Sequence, residues 1–294
     1  VKKILILGGC GYIGSALYNN LISKKYRVDT VDLEWFGNFV NPRNIKKDYK
    51  DIPKSFLDKY DIVILLAGHS TVGMCKEDVI GSLKNNVENF VLLMKRLSKQ
   101  KFIYTSTYRI YYGHKGLAKE NDENNELFSI YDLTKKIADG YISFSSLEFY
   151  SLRLATVNGF SPNLRVNQVV NKLFLDGGNH KKITIFDKNT KFSVLGINDL
   201  CRSVEKIIEG PDKRGLYNLK SFDTTTGQIA QSVSKVFGKL DLKTEKSKVK
   251  SAHIQISSRK FSSAYNFKFK DSLENLISDL SKNYSKKSNL LKSH

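Results

Sequence analysis

The chain is short of several things on which small or extended proteins depend. Among 294 residues there are three cysteines, four prolines, two methionines and one tryptophan. Cys10, Cys75 and Cys201 are odd in number, scattered, and form no C-x-x-C pair, so neither a disulfide framework nor a zinc site is indicated and a reducing cytoplasm is the expected compartment. The 19 glycines and four prolines are too few for a collagen-like or low-complexity polypeptide. No apolar stretch approaches the roughly 20 residues that span a bilayer. The sequence opens directly on the apolar run Ile4 to Leu7, and no signal peptide, membrane helix or lipid anchor is expected. Acidic residues are scarce beside basic ones, 29 against 48, for a formal charge of +19. No nucleic-acid motif accompanies that charge, and much of it is lysine spread along the chain, conspicuous from Lys282 to His294. It reads as a solvated surface with a frayed tail, of secondary use in attracting diphosphate-bearing substrates. The five histidines have no metal-ligand spacing, so no metal is expected.

What is there is an ordinary apolar fraction, 40%, in a chain long enough for one large domain or two unequal ones without staples. Short apolar runs at 3–7, 27–32, 61–67, 101–106 and 150–155 read as strands, and stretches at 13–24, 81–98 and 131–147 as helices. That alternation predicts an α/β fold, a doubly wound Rossmann sheet. After residue 157 the pattern loosens to helices at 165–175, 199–209, 226–237 and 272–282 with short strands at 183–186 and 192–195. The expected division is a Rossmann domain over 1–157, a smaller α/β substrate-binding domain over 158–284, and a basic tail over 285–294.

Gly8-Gly9-Cys10-Gly11-Tyr12-Ile13-Gly14 follows the first strand and opens the first helix, giving G-x-x-G-x-x-G. A tight turn, a close approach of backbone to pyrophosphate and close helix packing each call for glycine, and the helix N-terminus offers free N–H groups to the anion. Asp32 closes the second strand about 20 residues on, where a carboxylate accepts both adenosine ribose hydroxyls and repels a 2′-phosphate, favouring NAD over NADP. Trp35-Phe36 after it either lines the adenine edge or anchors an exposed loop. Tyr131-Asp132-Leu133-Thr134-Lys135 is Y-x-x-x-K, whose i, i+4 spacing puts phenol and ammonium on one helix face. The ammonium, helped by a nicotinamide cation, is expected to lower the phenol from its pKa near 10 toward neutrality for general acid-base work. Thr105-Ser106-Thr107 ends a strand at the ligand-binding edge of the sheet, where Thr107 can donate to a reacting oxygen.

The order of these motifs resembles the extended short-chain dehydrogenase/reductase superfamily, in its NAD-dependent epimerase/dehydratase family with the nucleotide-sugar epimerases like UDP-galactose 4-epimerase. The likeness extends to Leu66-Ala67-Gly68-His69-Ser70, Asn86, Leu152 to Val157, Asp199, Ser272-Leu273-Glu274, and Ser161-Pro162-Asn163-Leu164-Arg165 with Val169-Val170-Asn171. It implies a cytoplasmic homodimer, joined through helices starting near Asn85 and Tyr131, that binds NAD and a nucleotide-sugar. Tyr131, Lys135 and Thr107 would be catalytic. Gly8, Gly11, Tyr12, Ile13, Gly14, Asp32, Asp48, Tyr49, Leu66, Ala67, Gly68 and Asn86 would hold the cofactor with Tyr131 and Lys135, and Ser70, Thr71, Thr107, Thr156, Arg165 and Asn171 the substrate. Hydride would leave a sugar carbon and return to its other face, which is epimerisation. A dehydratase or a 4-ketoreductase is the alternative enzyme, and an NAD-binding scaffold the alternative to an enzyme. Dehydratases of the family place Asp-Glu after the hydroxyl residue, and here Tyr108-Arg109 stands there. Other departures are Ile110-Tyr111-Tyr112-Gly113 for V-Y-G, Thr156-Val157-Asn158-Gly159 for N-V-Y-G, and Gly196 where relatives carry histidine.

Overall fold

The computed structural model describes residues 1–122, 126–245 and 254–284, and the expected tail lies outside them. Six parallel strands form the central sheet in the order Gly215–Leu219, Phe149–Leu154, Lys101–Thr107, Ile62–Leu65, Lys3–Leu7, Arg27–Val31. The unbroken apolar runs Ile4 to Leu7 and Ile62 to Leu65 reflect burial on both faces at the centre of the sheet. Ile4 and Ile6 enter one core with Leu17 and Ile103, while Leu5 and Leu7 enter another with Phe90 and Phe102, as the two-residue period of a strand requires. Strand order reverses beside Lys3–Leu7, which has the second strand on one side and Ile62–Leu65 on the other. A doubly wound sheet opens its ligand crevice at the carboxyl ends of such strands.

In the second half, Thr156–Asn158, Lys191–Gly196 and Phe222–Thr225 make a three-stranded sheet. Helices Val169–His180, Thr226–Phe237 and Leu273–Tyr284 close a third core around Phe174, Val233 and Leu276. Three segments beyond residue 157 return to the first half, one of them Gln255–Ile256, which pairs with Leu117–Ala118. Gly215–Leu219 supplies the sheet's edge strand, and helix Ile197–Glu209 packs on helix Tyr12–Ser23.

Two expected helices are redrawn. The one over 81–98 is Val79–Leu83, a π turn at Lys84–Glu88, and Asn89–Arg96. The one over 165–175 begins only at Val169, because Asn158 Oδ1 accepts from the Val170 amide (2.9 Å) and the Asn171 side chain takes the Arg165 carbonyl (3.0 Å). Residues 165–168 are therefore left as a turn facing the first half.

Candidate functional site

A cavity of about 710 Å³ lies at the carboxyl ends of Lys3–Leu7, Arg27–Val31 and Ile62–Leu65. The glycine loop lines it. Gly8 has φ +94°, and a Cβ there would lie 2.5 Å from the Ala67 amide nitrogen, so this approach of two loops requires glycine. Helix Tyr12–Ser23 begins with no side-chain cap and no acid in its first turn, leaving its leading N–H groups open to an anion. Asp32 stands at the next strand end and accepts from the amides of Cys10 (2.9 Å) and Glu34 (2.7 Å), one on each oxygen, which leaves lone pairs for ribose hydroxyls. Asp48, Tyr49, Leu66, Ala67, Gly68, Ser70, Thr71 and Arg165 complete the expected lining.

The cavity also has residues that sequence reasoning left open or passed over. Trp35 and Phe36 both line it while more than half exposed, and the Trp35 ring meets His69 edge-on at 5.4 Å. From the second half, Asn163 donates to the carbonyls of Cys10 (2.8 Å) and Phe36 (3.1 Å), tying two walls together. Asn85 lines the cavity with a buried side-chain oxygen that has no partner. Its neighbour Asn86, the expected cofactor residue, turns the other way. Its Oδ1 accepts from the His69 amide (2.8 Å), and its Nδ2 donates to the His69 carbonyl (3.0 Å) and Thr134 (3.2 Å). The π turn decides which asparagine faces which way, and nothing in the Asn-Asn pair announces it.

Tyr131 and Lys135 sit on helix Ile130–Ser143, whose N-cap Ser129 accepts from the Asp132 amide (3.3 Å). The hydroxyl triplet divides its work. Thr105 bonds the Leu65 carbonyl (3.3 Å), Ser106 is buried without a partner, and Thr107 accepts from the Arg109 amide (3.2 Å) while hydrogen-bonded to Tyr131. Burial pushes the Tyr131 phenol up to about 12, against which the charge of Arg165, the Thr107 bond and Arg109 pull it down. Lys135 was the expected cation. Its ammonium instead donates to the Thr105 carbonyl (2.8 Å), lies 4.6 Å from the Tyr104 ring centre and 6.0 Å from that of Tyr131, and is itself pushed down to about 8 by burial. Arg165 takes that part from across the cleft, where it lines the cavity and donates to the Ser70 carbonyl (3.2 Å) and hydroxyl (3.4 Å).

Residues 4–219 match the model of the NAD dependent epimerase/dehydratase family. The chain belongs to that family. Its cofactor is NAD, and the glycine cradle, the lone pairs that Asp32 keeps beyond its two amide bonds and the unpartnered Asn85 oxygen fit that group. The chain is 26% identical over 270 residues to the dTDP-D-glucose 4,6-dehydratase of Dictyostelium discoideum, covering 79% of this chain and 62% of that protein. It thus spans less than two thirds of that relative's length. In fold it is similar to the epimerase Mth375 of Methanothermobacter thermautotrophicus, with a TM-score of 0.89, 17% identity, and 99% and 94% of the two chains covered. It is similar also to the UDP-glucuronic acid 4-epimerase of Bacillus cereus, solved with UDP-glucuronic acid and NAD, with a TM-score of 0.84, 22% identity, and 97% and 99% covered.

Within this family member, two residues expected at the substrate spend their polar groups on the protein. Thr156 shares a hydrogen bond with Tyr108 (2.8 Å), and the fully buried Asn171 accepts from the Gly159 amide (2.9 Å) besides holding Arg165. The departures from the family pattern have local causes. Asn158, replacing the usual tyrosine, caps helix Val169–His180. Gly196, replacing histidine, is pressed by Asp271, whose carboxylate would lie 2.0 Å from a Cβ.

Proposed function

We propose that the chain is an NAD-dependent nucleotide-sugar epimerase, which oxidises a sugar hydroxyl, most simply at C4, and reduces the keto sugar on its opposite face. The observation that carries this reading is the fate of the two residues after Thr107. Eliminating water requires an acid and a base besides the tyrosine, and dehydratases of the family resemble one another in placing Asp-Glu there. Here Tyr108 is spent on Thr156, and Arg109 is locked to Asp132 at 2.8 Å. Hydride out and hydride back need fewer groups. Tyr131 takes the hydroxyl proton and later returns it, Thr107 orients the same oxygen, and Lys135 keeps donors free beyond its bond to Thr105. NAD, when bound, would supply the hydride acceptor and donor for both half-reactions. Of the expected substrate residues, Ser70, Thr71 and Arg165 face the cavity and support a nucleotide-sugar in the cleft. The exposed Ile80, Leu92, Ile137 and Phe144, on the helices near Asn85 and Tyr131, support the homodimer, which sedimentation checks.

The test is a turnover screen of UDP-, GDP-, CDP- and dTDP-sugars with NAD, followed by mass spectrometry of the product. Unchanged mass with altered stereochemistry and no net NADH is expected, with Tyr131→Phe slower by roughly 10²–10⁴-fold. A product lighter by one water overturns the reading.

A further inference from the structure

Tyr131 is surrounded by charge that has to be sorted by element. Asp132 and Lys135 face it from its own helix, Tyr104 and Thr107 from the strand Lys101–Thr107, Arg109 from the turn that follows, and Arg165 from the second half. Asp132 is the outlier. It is the only carboxylate among these groups, it adjoins the phenol in sequence, and it is fully buried, where an unpaired charge is strongly disfavoured. Its partner is Arg109, which bonds it through a fork, Nε to Oδ1 at 2.8 Å and the terminal nitrogen to Oδ2 at 3.4 Å, while its own plane lies 5.6 Å from the Phe128 ring centre. Tyr108 and Cys75 also feel the Asp132 charge, and neither offers it a cation. The same Arg109 donates its backbone amide to the Thr107 hydroxyl oxygen. With a lone pair of that oxygen engaged from behind, the Thr107 proton is left to point at the phenol.

We propose that Arg109 and Asp132 form a positioning pair for the acid-base centre, in which Arg109 fixes Thr107 through its amide and offsets the charge of the buried Asp132 carboxylate beside Tyr131. The four residues close a ring, Thr107 to Arg109 to Asp132 to Tyr131, in which the phenol meets one hydroxyl donor and a balanced ion pair. The inference rests on Tyr131 being the acid-base group of the proposed reaction, and its test is independent of which sugar or product that reaction involves.

The experiment is a tyrosinate absorbance titration of the NAD-saturated protein, taking in each background the difference between the chain and its Tyr131→Phe variant. Arg109→Gln leaves Asp132 unbalanced and should raise the Tyr131 midpoint by about one pH unit, a tenfold loss of phenolate at fixed pH below it. Asp132→Asn leaves Arg109 unbalanced and should lower the midpoint. The double variant should return it close to the starting value, and Arg109→Lys should restore most of it. The same order should appear in the acid limb of kcat/KM for any substrate that turns over. If Arg109→Gln does not fold, Asp132→Asn and the double variant decide. Midpoints of Arg109→Gln and Asp132→Asn that coincide with the starting one, or that move in the same direction, overturn the proposal, and a purely structural pair would lower stability without moving them. A product other than an epimer would leave this titration untouched, so the two readings fail separately.

Discussion

Replacing Asn86 by alanine probes how the cofactor wall is held. The structure gives the Asn86 amide four protein bonds, two of them to the buried backbone of His69, one to Thr134, a turn along the helix from Tyr131, and a long one to the Cys75 sulfur (4.0 Å). Removing it strands the His69 N–H and leaves the His69 C=O only the weak Cys75 thiol donor (3.6 Å), and each unsatisfied buried group costs about 1–3 kcal/mol. With some relaxation the loss should be about 2–4 kcal/mol, a large part of the roughly 5–15 kcal/mol that holds a domain folded. Urea unfolding, with NAD absent and with NAD saturating, reads this loss from the midpoint at constant slope. NAD affinity, measured by calorimetry, should weaken only in proportion to the loosened Gly68–His69 wall. Asn85→Ala should behave in the opposite way, with a smaller change in stability and a clear loss of NAD affinity, because Asn85 lines the cavity and its side-chain oxygen has no protein partner to lose. If Asn86→Ala unfolds within about 0.5 kcal/mol of the starting protein while NAD binds tenfold more weakly, then Asn86 is a direct ligand and the reasoning is wrong.

Asp32→Ala should narrow the preference for NAD over NADP, since it removes the carboxylate that a 2′-phosphate would face; calorimetric dissociation constants for both cofactors check this, and tighter NADP binding by the unchanged protein refutes it. Lys135→Met should stabilise the fold by about 1–3 kcal/mol at pH 7 while lowering turnover. Burial holds that ammonium near 8 in the folded chain against 10.5 unfolded, so the unfolded chain binds more protons between those values and stability rises with pH there. The full cost of the buried charge is therefore present below pH 8, and the gain from methionine should fade toward pH 10.5. A destabilised variant at pH 7, or a gain that ignores pH, would contradict the sign.

The strands were legible wherever burial on both faces demanded an unbroken apolar run, as at Ile4 to Leu7 and Ile62 to Leu65. Gly215–Leu219 was not legible, because Asn218 interrupts it. That fully buried asparagine is tolerated because its backbone amide donates to Glu120 (2.9 Å) and its side chain accepts from Tyr111 (2.9 Å), partners about a hundred residues away that no local pattern reports. The glycine loop and Asp32 were legible for a related reason, since their roles are set by backbone geometry at one strand end and one helix start. The facing of Asn85 and Asn86 depends on a π turn that the helical period conceals, and π turns gather at functional sites in many helices.

The Y-x-x-x-K spacing was legible and its electrostatics were not. Y-x-x-x-K places Lys135 on the face of Tyr131, but helical spacing says nothing about where a long side chain ends, and the ammonium ends on the Thr105 carbonyl. The cation that acts most on the phenol comes from residue 165, in a turn whose shape depends on Asn171 and whose reach ends at Ser70 on the opposite wall. A phenol pushed up by burial and pulled down from the other half of the molecule is tuned only when the halves are together. Among the bonds that join them, those beside the glycine loop therefore bear on the cleft as well as on stability: Tyr12 to the Gly159 carbonyl (2.8 Å), Ser161 to the Tyr12 carbonyl (2.7 Å), and Asn163 to the Cys10 and Phe36 carbonyls. Asn171 links them to Arg165, since it meets the Tyr12 hydroxyl (3.5 Å) and holds the Arg165 carbonyl (3.0 Å), so a variant that breaks them should weaken NAD binding and shift the Tyr131 midpoint together.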